Sequence, residues 1–277
     1  MIMKPAATQR AFTLVEMLMV IAIIGILTAV SLPVLRNLRG GDVLLSGSRQ
    51  MLDDIARARQ LAISQRTTVY MVFCPDSFWS NPGYNGWANP GWSALNATET
   101  NKAGRLYDKQ LNGYNFVTLR SVGDQPGRSQ VRYLSSWRAL PEGAIIAPFK
   151  FLARTYSTRV FDPPLPATPA LQYWDVKGFE VTNNIPFPSE TATASGPPYV
   201  PVPYIAFNHL GQLVSGEDEY IPLAKGSLSY AVNKDKLPQQ AVPTFHENPA
   251  GNSTNAFMLV HIDWLTGRGS IERQEIK

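Results

Sequence analysis

The sequence is poor in the residues that carry most enzyme chemistry. A single cysteine, Cys74, excludes an intramolecular disulfide. An exported domain of this chain must therefore depend on its core and on neighbouring subunits, not on the bridges that small secreted folds use. Three histidines, His209, His246 and His261, fall into no H-x-x-x-H or H-E-x-x-H spacing, so a metal site is open only by convergence in space. Glu217-Asp218-Glu219 lacks the alternating oxygen spacing of a Ca²⁺ loop and reads as a solvated turn. There is no G-x-S-x-G, no Gly-rich phosphate loop and no paired-carboxylate signal. We therefore expect no catalytic residue, no metal and no cofactor. Charge is scarce as well: 17% of residues are charged, against the usual quarter. The net charge of +4 includes Lys4 and Arg10 of the first eleven residues and falls to +2 without them, too little to argue for nucleic acid. No repeat of 20–50 residues is visible, while 22 Pro and 20 Gly place much of the chain in turns and loops.

Against this background the N-terminus stands out. Residues 1–11 are short, polar and basic; from Phe12 to Leu35 the chain is apolar, with Glu16 as its one charge. Those 24 residues reach about 36 Å as a helix, enough for a hydrocarbon core of about 30 Å. A cleaved secretory signal has a shorter apolar run closed by small residues, whereas Leu32-Pro33-Val34-Leu35 is still apolar. An ordinary anchor fits the length and leaves Glu16 unexplained. An acid within a span costs at least about 2.5–3.5 kcal/mol near the bilayer centre, and the run supplies no Lys or Arg. A free amino group on Phe12 would supply the positive charge if the chain were cut after Ala11. Phe12 and Glu16 are four residues apart, on one face of the first turn. Such a pair forms within a subunit or between subunits; the second arrangement sets the register of packed helices.

Ala11-Phe12-Thr13-Leu14-Val15-Glu16 followed by an apolar helix resembles the signal of type IV prepilins and type II secretion pseudopilins. The resemblance implies cleavage between Ala11 and Phe12 by a membrane prepilin peptidase. The same enzyme then methylates the Phe12 amine with S-adenosylmethionine as donor, and Glu16 promotes assembly. Ala11 stands where the family usually has Gly, the nearest residue in size. Pro33 matches the place where many members bend or locally melt the first helix, in keeping with its missing N–H. Lys4 and Arg10 on one side balance Arg36 and Arg39 on the other, so the positive-inside count does not orient the span. The resemblance does: leader in the cytoplasm, residues 40–277 outside a bacterial inner membrane.

Beyond the span, Gly40-Gly41 interrupts helix propensity and a helical pattern then resumes. Leu44, Ser48, Met51 or Leu52, Ile55, Ala58 or Arg59, and Ala62 form one stripe, with Asp53 and Arg57 as an i,i+4 pair on the outer face. After Arg66 the pattern turns β. Strands are expected over 67–73, 114–122, 130–133 and 144–152, with hairpins 204–207/212–214 and 257–264/269–273. ARARQLAISQRTTVYMVF, LPEGAII at 140–146, YIAFNHLGQL and HIDWLTGRGSIER are similar to the globular domain of minor pseudopilin H and FimT-like minor pilins. The implied fold is α+β and pilin-like: leader 1–11, transmembrane helix 12–35, its continuation 36–66, and a β-rich outer domain 67–277. The helix would pack on an antiparallel sheet.

Two insertions depart from that pattern, 75–113 and the Pro-rich 162–203. Phe78, Trp79, Tyr84, Trp87 and Trp92 in the first could stack on sugars or anchor a partner; a loop packed by its own aromatics is the expected arrangement. Cys74 reads as a buried thiol. The expected function is that of a minor pseudopilin-like subunit in a secretion pseudopilus or pilus-like filament. Its partners would be the peptidase/methyltransferase, other pilin or pseudopilin subunits, inner-membrane lipid and an exported protein. Three alternatives stay open. One is an uncut anchored binding protein. Another is a pilin-like protein of unknown cargo. The third is a DNA-binding minor pilin using Arg268 and Arg273, against which Glu272 and Glu275 interleave.

Overall fold

The computed structural model describes residues 14–76, 78, 97–120, 130–161, 173–182, 184–190, 201–255 and 258–273, the side chains of 29–42, 99, 161 and 173 excepted. Ala11 and Phe12 lie outside the described residues. Helix α1 runs unbroken over Leu14–Gln65, through Pro33 and Gly40-Gly41. The expected interruption at the two glycines therefore does not occur. Two glycines cost a helix interior about 2 kcal/mol, less than is gained by propagating a helix whose far end is packed on a core. The chain divides into two compact units between Asp42 and Val43.

In the first unit every described side chain from Leu14 to Thr28 is exposed. No helix among the described residues is long and apolar enough to cross a membrane. The described side chains of the apolar run stop at Thr28, about 22 Å of helix from Leu14 at about 1.5 Å per residue.

The second unit starts with the end of α1. Ser48, Met51, Ile55, Ala58 and Ala62 are buried, and Leu44, Leu52 and Arg59 half-buried, as the 3.6-residue period required. Strands follow in chain order: β1 Val69–Phe73, β2 Gly113–Thr118, β3 Arg132–Tyr133, β4 Arg138–Ala139, β5 Ala144–Ile146, β6 Ser157–Phe161 and β7 Tyr173–Lys177. Then come β8 Glu180–Thr182, β9 Val202–Phe207, β10 Glu219–Ser229, β11 Thr244–Glu247, β12 Met258–Ile262 and β13 Gly269–Arg273. One sheet has the order β3-β2-β1-β9-β8 with β4 on β2; a second has β11-β10-β12-β13 with β5 on β10; β6 and β7 pair separately. All these pairings are antiparallel. One core joins α1 to both sheets: Met51, Ile55, Ala58 and Ala62 pack with Met71, Phe73, Phe116, Ile205, Ile221 and Val260.

Several expectations are corrected in detail. The strand expected at 144–152 ends at Ile146, where Pro148 opens a 3-10 turn, Pro148–Phe151. Only the 117–118 end of β2 pairs with β3, and Gln212–Val214 contributes a bridge, Phe207 to Leu213, not a strand. The hairpin β12–β13 is as expected, Met258 opposite Arg273 and Ile262 opposite Gly269. The first insertion holds a helix, α2 Ala97–Gly104, and its Phe78 is buried between Tyr107 (centroids 5.8 Å) and Phe187 (5.1 Å). Trp79, Tyr84, Trp87 and Trp92 lie outside the described residues. The second insertion contains β7, β8 and the start of β9. Arg57 does not pair with Asp53: its guanidinium lies over the Phe116 ring, 5.8 Å from the centroid.

Candidate assembly interface

Leu14, Val15 and Leu18 are 81%, 71% and 64% exposed, and Glu16 is exposed among them in the first turn of α1. A row of large apolar side chains of this length is not left to water; it is covered by lipid or by other helices. Pro33 is inside the helix and does not end it.

The outer end of the same helix is bolted to the sheets by polar contacts that local sequence does not announce. Asp54, 3% exposed, accepts from the Tyr114 hydroxyl and pairs with Arg138 Nε at 3.1 Å. Gln50 Nε2 donates to Tyr114 Oη and to the Ala139 carbonyl, both at 2.8 Å. Burial, and then the hydrogen bond to Asp54, push the Tyr114 phenol well above its ordinary range. One turn further on, Arg59 Nε donates to the Thr266 carbonyl at 2.7 Å, tying α1 to the turn between β12 and β13.

A second network lies under β10. Lys150, fully buried, donates to Glu219 and to the Lys177 carbonyl (2.7 Å), with its ammonium over the Phe179 ring at 4.7 Å. Burial holds that ammonium below the ordinary lysine range, opposed by the Glu219 carboxylate. Arg154 pairs with Glu180 (2.8 Å), Glu219 (3.0 Å) and Glu217 (3.2 Å), and Lys177 with Glu217 (2.8 Å). The hydrogen bond from Lys177 lowers the Glu217 carboxyl. Residues 217–219 are thus not a simple solvated turn, because Glu219 is the buried anchor of this network. The one signal available was a lysine inside the apolar run Ile145–Leu152.

His261 lies between Asp218 (Nε2 to Oδ2, 3.1 Å) and Glu272 (Nδ1 to Oε1, 3.4 Å), stacked on Tyr220. His209 is in the turn after β9 and His246 in β11, and no group of His, Cys, Asp or Glu among the described residues is arranged to hold a metal. Cys74 is buried, and burial raises its thiol well above the ordinary range, so it is not a thiolate nucleophile. Arg268, just before β13, and Arg273, at its end, are both exposed, about 16 Å of extended chain apart.

Residues 7–32 match the prokaryotic N-terminal methylation motif, which covers Ala11, Phe12 and Glu16. Residues 48–159 match the type II transport protein GspH, from the packed half of α1 to β6. The chain carries a prepilin methylation motif and a GspH-type minor pseudopilin domain. No curated protein and no solved structure matches it. A GspH pseudopilin is a minor, structural subunit of type II secretion, not an enzyme, with an inner-membrane anchor and a periplasmic domain. The methylation motif implies processing by prepilin peptidase, and the family implies other pseudopilins as partners. The GspH match ends at residue 159, so the hairpins at 202–214 and 258–273 and the whole Pro-rich insertion lie outside it.

Proposed function

We propose that this pseudopilin is cut between Ala11 and Phe12, methylated on Phe12, and assembled by pairing the Phe12 amine of one subunit with Glu16 of its neighbour. The span 12–35 holds the subunit in lipid as a single pass until it joins the filament, where other apolar helices replace lipid around Leu14–Thr28. The outer domain faces the periplasm and meets neighbouring subunits or the exported protein. The observation that carries this is the exposed apolar stretch of α1 with one carboxylate in its first turn. In a low-dielectric surround a charge pair at a fixed depth selects one axial register, because a slipped neighbour leaves both charges in hydrocarbon.

The test separates cutting from assembly. Glu16→Leu should leave cleavage intact, since Glu16 lies four residues beyond Phe12 in the sequence and is not part of the bond cut. It should also lower co-isolation with the other pseudopilins by at least about tenfold, the equivalent of about 1.4 kcal/mol. Ala11→Leu, by bulk at the cleavage site, should leave the leader attached. Unchanged co-isolation of Glu16→Leu would remove the pairing from the mechanism.

A further inference from the structure

The turn after β9 and the turn between β12 and β13 form a single platform. Gly211 and Gly267, at φ +82° and +62°, let the two backbones touch: a Cβ on Gly267 would fall 1.9 Å from the Gly211 carbonyl oxygen. Leu213 N donates to the Trp264 carbonyl at 2.9 Å, and Arg59 of α1 lies under both turns, bonded to Thr266 and packed at Gly211. Asn208 accepts from Leu210 N and Gln212 N, and Asp263 accepts from Thr266 N and Oγ1, so each turn is stiffened from inside.

On this rigid base the platform displays what a domain surface normally hides. Leu210 is 61% exposed, Leu265 53% and Trp264 40%. Its border carries arginine and one acid, Asp218, whose carboxylate is taken up by Trp264 N and His261. Arg268 is exposed three residues after Leu265 in the same turn region, and Arg66 and Arg120 line a recess together with His209 of the turn after β9. Among the described residues none of Arg66, Arg120 or Arg268 is in an ion pair. Asp263, the acid of the turn itself, is engaged with Thr266.

An apolar centre holding a tryptophan, bordered by arginine and backed by preformed turns, is the composition of a protein hot spot. Phosphate binding needs clustered cations and has no use for two leucines at their centre. We propose that this platform docks a different protein chain through a segment that carries aspartate or glutamate beside apolar side chains. The inference deepens the assembly reading, since it gives the chemistry of one partner of the outer domain.

The experiment uses the full chain in membranes of its host, with a benzophenone amino acid in place of Leu265. The expected result is a light-dependent adduct to another protein, with the contact peptide mapped by mass spectrometry to a carboxylate next to an apolar residue. Arg268→Glu, an exposed change that leaves tryptophan fluorescence as in the parent, should cut the adduct yield by about fivefold or more. Adducts from the same group at Val181, exposed on β8, should not change. An adduct to DNA, to a second copy of this chain or to a basic segment overturns the proposal. So does no adduct, or one indifferent to Arg268→Glu. Sequencing the N-terminus in the same preparation separates the two ideas: methylated Phe12 without an adduct removes only the platform.

Discussion

The Lys150–Glu219 pair makes an asymmetric prediction. Both groups are buried, but their second partners differ. Removing Glu219 leaves the Lys150 ammonium with the Lys177 carbonyl and the Phe179 ring and no direct anion. Removing Lys150 leaves Glu219 still paired with Arg154 at 3.0 Å. Stranding a buried charge costs about 3–5 kcal/mol, whereas Glu219 without Lys150 keeps the Arg154 guanidinium and is not stranded. Glu219→Ala should therefore destabilise the outer domain by about 3–5 kcal/mol and Lys150→Met by less than about 1.5 kcal/mol. Adding Lys150→Met to Glu219→Ala should restore part of the loss, because the stranded charge is gone. In urea, followed by tryptophan fluorescence of the full chain in detergent, a slope of about 2–3 kcal/mol per M puts the Glu219→Ala midpoint about 1–2 M below the parent. Equal losses for the two single variants, or no recovery in the double one, would show that the network is not organised around a buried lysine.

Other consequences are open to the same denaturation assay. Gly267→Ala should cost more than about 2 kcal/mol, since the new Cβ meets the Gly211 backbone; Gly216→Ala, at φ +71° in open space, should cost only the left-handed strain of about 1–2 kcal/mol. Tyr114→Phe should cost about 1–2 kcal/mol at neutral pH, because Asp54 keeps Arg138 but loses a buried donor. The phenol of Tyr114 is raised above its ordinary 10.0, so above about pH 10 the unfolded chain loses this proton first and stability falls with rising pH. Tyr114→Phe lacks that contribution, and its deficit against the parent should shrink above pH 10. A deficit that is constant or growing there would contradict the burial of the hydroxyl.

What could be read from the sequence was what repeats locally. The stripe Ser48, Met51, Ile55, Ala58, Ala62 follows the helical period and is the buried face. The hairpin at 258–273 is declared by alternating apolar residues around a Gly-containing turn. Phe12 and Glu16 stand out because one acid interrupts a long apolar run. What stayed hidden depends on residues far apart in the chain. Asp54 meets Tyr114 and Arg138, and Lys150 meets Glu219, with no spacing to betray either contact. Strand β10 was missed because Pro222 and Gly226 argue against a strand of eleven residues. In place, Pro222 spends its carbonyl on Ala147 N, and a Cβ on Gly226 would fall 2.3 Å from the His246 carbonyl oxygen of β11. The platform at 208–214 and 263–268 was visible as two separate turns; its identity as one surface comes from the Gly211–Gly267 contact.

A subunit that is processed as proposed has Phe12 as its first residue. The most direct test is the intact mass and N-terminal sequence of the protein isolated from membranes of its own host. The expected chain begins at Phe12 with a methyl group on its amine. A chain that still begins at Met1 in assembled material would contradict the proposed processing, and Glu16 would then have no amine at position 12 to pair with.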